Sequence, residues 1–279
     1  DHPLDDCRLK VAAAMTDFNG LRAEIVKFFE DHPAGITSGR DPRTGEEWFK
    51  VEGLPKPPPE WAVAVGVIGH NARSALDHLV YALAFEGGGD PEGERTGFPI
   101  YTSREDYFRI NGRTKLSNRD MALAGVEEKW RKKIDDLQPY QRGDVADRHP
   151  LATLVHITNR DKHRTTNAPH IALETPKFLV GLLGHQHPES MTGVTAVPGD
   201  PDAPFHVHAG NLGTKSRRHP QKLAFFIDGQ QRANAKLRLN VAFGTAADDR
   251  YVYPSSIKRA ITRVEVILRE FEPAFGPAV

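Results

Sequence analysis

The sequence predicts an α+β protein: a helical bundle with an antiparallel β-region inserted before its last helix. Three observations carry this. Apolar residues recur at three- and four-residue steps through most of residues 1–168, the mark of helices that bury one face. From Pro169 to residue 253, short segments of two-residue period alternate with Gly, Pro, Asn and Asp clusters. The helical period then returns, so residues 254–279 are expected to come back onto the bundle.

Taken in order, residues 4–31 read as one long helix, with Leu4, Val11, Met15, Phe18, Leu21, Ile25 and Phe28 on one side and Asp31-His32-Pro33-Ala34-Gly35 as its stop. Turn residues at Asp41-Pro42-Arg43-Thr44-Gly45 divide Ile36 from Trp48-Phe49-Lys50-Val51, predicting a small hairpin near 36–51. The rigid Pro57-Pro58-Pro59 run leads into a second long helix, Trp61 to Phe85, ended by Gly87-Gly88-Gly89. Residues 90–116 look irregular. Further helices are expected from about Ser117 to Leu137 and from about Asp147 to Arg164. Candidate strands are His170–Leu173, Lys177–Leu183, Gly193–Val197, Phe205–His208, Lys222–Asp228 and Leu237–Phe243. In the last of these, Leu237, Leu239, Val241 and Phe243 alternate with Arg238, Asn240 and Ala242, which predicts one buried and one wetted face. Ile257, Ile261, Val264, Ile267 and Leu268 define the final helix.

Composition narrows the functional classes. Thirty-seven basic and 37 acidic residues give a formal net charge of zero, whereas domains that grip long nucleic acid usually carry a basic excess. The sequence lacks the roughly 18 consecutive apolar residues of a membrane span, and Asp1-His2-Pro3 does not open a signal peptide. A single cysteine, Cys7, rules out an internal disulfide or a Cys-based zinc cage, so a cytoplasmic protein is the expectation. Thirteen histidines stand out.

Several of them fall in Gly69 to Leu79, G-H-N-A-R-S-A-L-D-H-L. At 100° per residue Arg73, Asp77, His70, Ser74 and His78 lie in that order across an arc of roughly 140°, with Ala72, Leu76, Leu79 and Leu83 opposite. A solvated helix face is usually rich in Lys and Glu. This one has no lysine and adds Asn71 to its His, Arg, Ser and Asp, a set suited to a fixed hydrogen-bonded network. Gly66 and Gly69, costly in a helix, point to close approach by another backbone. A second cluster follows in L-V-H-I-T-N-R-D-K-H-R. There His156, Asn159, Arg160 and His163 share a helical side, with Asp161, Lys162 and Arg164 near the helix end. If the two polar faces meet, they enclose a site.

The run P-P-P-E-W, G-H-N-A-R-S-A-L-D-H-L-V-Y-A-L, F-P-I-Y at 98–101, L-Q-P-Y at 137–140 and N-R-D-K-H-R at 159–164 resembles a bacterial family to which no activity is assigned, over roughly the first 170 residues. Arg73-Ser-Ala-Leu-Asp-His78 also resembles the R-x4-6-H signature of HEPN domains, helical bundles that include metal-independent endoribonucleases of toxin and phage-defence systems. The likeness implies that His78 moves the proton of an RNA 2′-hydroxyl or of the leaving 5′-oxygen, and that Arg73 stabilises the charged phosphorane. Imidazole and guanidinium suit those tasks. The two side chains diverge by about 140° around the helix, so they converge only in a groove such as a two-fold interface; a homodimer is part of the expectation. Asp77 or Asn71 is the candidate for orienting an imidazole.

Two other readings stand beside it. His70, Asp77, His78, His156 and His163 include donors for a divalent zinc, manganese or iron ion, although no i, i+4 histidine pair is present. Alternatively, the polar groups form a structural network in a noncatalytic ligand- or partner-binding protein. The pairs His185/His187 and His206/His208 are read as surface histidines, and Lys215-Ser216-Arg217-Arg218-His219 as a solvated basic loop that could touch RNA.

Overall fold

A computed structural model describes residues 2–33, 35–40, 42–43, 47–53, 55–90, 96–163, 168–174, 205–206, 226–227, 230–231, 238–244 and 251–276. Its centre is a bundle of four helices: α1 (Asp5–Asp31), α2 (Glu60–Glu86), α6 (Pro150–His163) and α7 (Pro254–Phe271), with three short helices, α3 (Arg104–Tyr107), α4 (Asn118–Ala122) and α5 (Glu128–Asp136), between α2 and α6. The expected α+β class is correct.

Helix α1 buries Cys7, Val11, Ala14, Phe18, Leu21, Ile25 and Phe28. Their steps of four and three repeat strictly, a heptad seam of the kind that packs along a neighbouring helix. The two small residues, Cys7 and Ala14, occupy seam positions where the sequence alone draws the eye to Leu4 and Met15. Trp61 at the start of α2 donates its indole N–H to Glu24 at 2.9 Å and packs edge-on against Phe28. At the other end, Arg8 pairs with Glu272 beyond α7. Helix α2 buries 13 residues, on its faces toward α1, α6 and α7. Its Gly69 sits directly on α6: a Cβ there would lie 2.7 Å from Ile157 Cγ2 and 3.3 Å from Thr158 Cγ2. A close approach is present at that glycine, but it is made by α6 side chains rather than by the expected backbone.

The helix expected over 117–137 is two helices, α4 and α5, divided at Gly125. This residue has φ +75° and meets the end of α2 backbone to backbone. A Cβ on Gly87 would stand 2.3 Å from the Gly125 carbonyl oxygen, and one on Gly89 would stand 2.7 Å from Gly125 Cα. The triple glycine therefore does more than stop α2: it forms a saddle for a turn that a continuous helix could not provide. Pro139–Arg148 is a 3-10 segment broken at Gly143 (φ 55°, ψ −131°), so α6 begins at Pro150 rather than near Asp147. Short α3 interrupts the region expected to be irregular.

The final helix returns as expected. Ile257, Ala260, Ile261, Val264, Ile267, Leu268 and Phe271 are buried against α1, α2 and α6. Burying such apolar side chains contributes about 1.5–3 kcal/mol each before ordering costs. Strands β1 (Gly35–Arg40) and β2 (Glu47–Glu52) form the expected antiparallel hairpin, Arg40 opposite Glu47. Between α6 and α7 lie β3 (Pro169–Glu174), β4 (Phe205–His206), β5 (Phe226–Ile227), β6 (Gln230–Gln231) and β7 (Arg238–Phe243). Strands β3 and β7 pair antiparallel, as do β5 and β6. β4 instead joins β2, with Trp48 opposite His206, so the early hairpin and the inserted region share a sheet. The wetted face expected for β7 is absent at its end: Val241, Ala242 and Phe243 are all buried, and Phe243 exchanges both backbone hydrogen bonds with Val252. Lys177–Leu183, Gly193–Val197, His185/His187, His208 and Lys215–His219 lie outside the described residues. No helix among those described is long and apolar enough to cross a membrane.

Candidate functional site

The polar row of α2 divides along its length. Arg73 and Asp77, one turn apart, reach across to residues 97–98. Arg73 Nη2 donates to the Phe98 carbonyl at 2.6 Å, and Arg73 Nε donates to Asp77 at 3.3 Å. Asp77 Oδ1 accepts the Phe98 N–H at 2.9 Å. The two side chains thus bind both backbone groups of one residue, whose ring is fully buried. Gly97 allows the approach, since a Cβ there would lie 3.2 Å from Asp77 Oδ1.

The same segment is held from its far side. Gln138 Nε2 donates to the carbonyls of Pro99 at 2.8 Å and Ile134 at 3.1 Å, its Oε1 accepts the Tyr101 N–H at 3.1 Å, and the Tyr140 N–H binds the Tyr101 carbonyl. F-P-I-Y and L-Q-P-Y are therefore two halves of one strap, and R-x-x-x-D on α2 is its third member. Each buried backbone group left unpaired would cost about 1–3 kcal/mol, which is why side chains are recruited where no helix or strand supplies a partner.

Beneath the strap lies a charged cluster that sequence reasoning missed. Asp135 on α5 accepts the Tyr107 hydroxyl at 2.6 Å and a forked pair from Arg119 Nε and Nη2, each at 2.9 Å. Arg119 also reaches Glu128, and Ser117 caps α4 through Asp120. Hydrogen bonding to Asp135, against the cost of burial, raises the Arg119 pKa still further above its ordinary value. Burial, and then the bond to Asp135, pushes the Tyr107 phenol up as well. The Ser117 hydroxyl lowers the Asp120 carboxyl. The only sequence signal for this cluster was L-Q-P-Y itself, two residues after Asp135.

The rest of the row faces solvent. His70 and His78 are exposed and Asn71 and Ser74 half-buried, with Ser74 Oγ 3.5 Å from His78 Nε2. Of the second cluster, only His156 and Asn159 have described side chains. The α2–α6 contact at Gly69 is made by Ile157 and Thr158, and the Thr158 hydroxyl turns back to the Leu154 carbonyl. Asn159 is exposed and His156 half-buried. Asp161, Lys162 and His163 belong to the last turn of α6, but their side chains, with Arg160 and all of Arg164, lie outside the description. Among the described residues no three His, Cys, Asp or Glu side chains gather as a metal cage. Among the described residues, one groove of about 340 Å³ lies between α1 and α7 and another of about 350 Å³ lies on α7 beside Lys258, Arg259 and Arg263; neither of these is lined by the row.

Two other titratable groups are buried. His149, ahead of α6, accepts the Leu151 N–H on Nδ1, and burial, helped by Arg142 and Arg263, depresses its pKa to about 4. The Cys7 thiol, sealed in the α1 seam, is pushed up to about 12 by burial and holds no reactive thiolate near neutral pH. Comparison of the chain with family models, curated proteins and solved structures returned no match.

Proposed function

We propose that the protein is a noncatalytic binding protein of a reducing, cytoplasmic compartment, in which Arg73 and Asp77 are a structural clamp and the solvent side of α2 is the face that meets a partner. The observation that carries this is the occupation of Arg73. Stabilising a phosphorane requires two guanidinium N–H groups aimed at phosphoryl oxygens. Here two of its five N–H donors, Nε and one on Nη2, hold Asp77 and the Phe98 carbonyl, and with the side chain three-quarters covered the guanidinium lies along the strap rather than open to a bound strand. A partner face is supported by the large apolar side chains that α2 shows to water, Phe85 and Val63 above all. The test is incubation of purified protein with mixed RNA in EDTA. No nicking is expected, and Arg73→Ala should lower the melting temperature.

A second reading, metal-independent RNA cleavage of the HEPN type, draws on one observation. His78 stands exposed on a bundle helix one turn from the Ser74 hydroxyl, where an RNA strand has access. RNA nicking that disappears in His78→Ala, with folding intact, would establish it in place of the first.

A further inference from the structure

The solvent side of α2 carries a pattern of its own. Val63, Val67, His70, Ser74, His78, Tyr81 and Phe85 follow one another at steps of 4, 3, 4, 4, 3 and 4. That is an eleven-residue repeat, about 3.67 residues per turn, so the row runs almost parallel to the helix axis for roughly 33 Å. Its apolar members stand in water: Val63 is 58%, Val67 46%, Tyr81 42% and Phe85 68% exposed. None of the seven residues is Lys, Arg, Asp or Glu.

The row also reads alike from both ends. Counted from Ser74, histidines lie four residues away on either side, and large apolar residues lie seven and eleven away on either side. A surface with this symmetry is its own complement when a second copy is laid against it antiparallel. Val63 then comes level with Phe85 of the other copy, Val67 with Tyr81, His70 with His78, and Ser74 with its own equivalent. Such a pairing is isologous and closes after two subunits. The four apolar side chains expose on the order of 450 Å² per chain. Two chains with His70, Ser74 and His78 added reach roughly the 1,000 Å² at which specific interfaces begin. Without a formal charge in the row, two copies meet with no like-charge repulsion between carboxylates or ammonium groups.

We infer that the partner of α2 is a second copy of this chain, the two helices packed antiparallel across a two-fold axis at Ser74. This rests on the binding reading above and names its partner. Sedimentation should show a species of twice the 31.0 kDa chain mass. Val67→Glu with Phe85→Glu, both at exposed positions, should weaken association by at least about a hundredfold while leaving the circular dichroism unchanged. Register is read by oxidative cross-linking. Helices with axes 8–10 Å apart bring facing Cα atoms within roughly the 4.4–6.8 Å that a disulfide spans. Ser74→Cys should therefore cross-link to itself, and Val63→Cys only to Phe85→Cys; the buried Cys7 stays silent. A wild-type chain that sediments as one subunit up to about 100 µM, or Val63→Cys that cross-links to itself, overturns the inference. A monomer that leaves RNA intact sinks the dimer alone. A dimer that nicks RNA through His78 sinks the noncatalytic reading and leaves the dimer standing.

Discussion

Arg73 and His78 are five residues apart on one helix and inhabit different media. The guanidinium is three-quarters covered and bound to a backbone carbonyl and a carboxylate; the imidazole stands in solvent with a hydroxyl for company. The difference teaches that a helical polar row is not a unit. Its 140° arc is wide enough for one edge to be covered by a passing loop while the other stays wet. Chemistry inferred from the row as a whole must then be divided between structure and surface.

The sharpest way to break the comparison is Arg73→Ala. It leaves the Phe98 carbonyl without its donor and Asp77 without its cation, an expected loss of about 2–3 kcal/mol in urea unfolding. If Arg73→Ala and Asp77→Ala both unfold at the wild-type midpoint, the clamp is not structural.

Comparable in size is the effect of His149, an imidazole that the fold does bury. His149 is buried and its pKa is depressed to about 4, against an ordinary value near 6.5. Between those values the unfolded chain binds the extra proton and the folded one does not. Its contribution is thus intact above about pH 6.5, falls as the pH drops toward 4, and is flat below, a total of about 3 kcal/mol. Measured across that window, His149→Asn should flatten the dependence on pH.

Tyr107→Phe should cost about 1–2 kcal/mol, because Asp135 loses the phenol but keeps the Arg119 fork. A melting temperature unchanged in that variant would remove the cluster beneath the strap from the energetics. Smallest of all, measured on the dissociated chain, His78→Ala should change stability by no more than about 0.5 kcal/mol; a large loss there would mean that this edge of the row is packed within its own chain.

Much of this architecture was legible before coordinates. Periodicity gave the four long helices within a few residues, because Phe18, Leu21, Ile25 and Phe28, or Ile257, Ile261 and Val264, repeat at an interval that only a helix satisfies. What it could not give was what covers each face. Asp77 reads as a candidate orienter of an imidazole until Phe98, 21 residues away, is seen on it. Gly125 reads as a blemish in a helix until Gly87 and Gly89 are found against it. Asp135, Arg119 and Tyr107 carry no signature of their own beyond the neighbouring L-Q-P-Y, since a buried ion cluster is a property of three segments meeting. His70 and Asn71 read from the sequence as part of one polar face, but the sequence does not say which side of that face is water.

One consequence follows from the position of α7. The bundle's last wall is laid roughly 250 residues after its first, and Arg8 on α1 finds Glu272 across a separation of 264. During synthesis α1 and α2 emerge early with the seam they later offer to α7 still bare, and β2 waits for β4 over some 150 residues. Until the ribosome has released Pro254–Phe271, the nascent chain carries an open greasy trough. Holding factors that recognise unfolded apolar surface should therefore bind it cotranslationally and depart only once the final helix is in place.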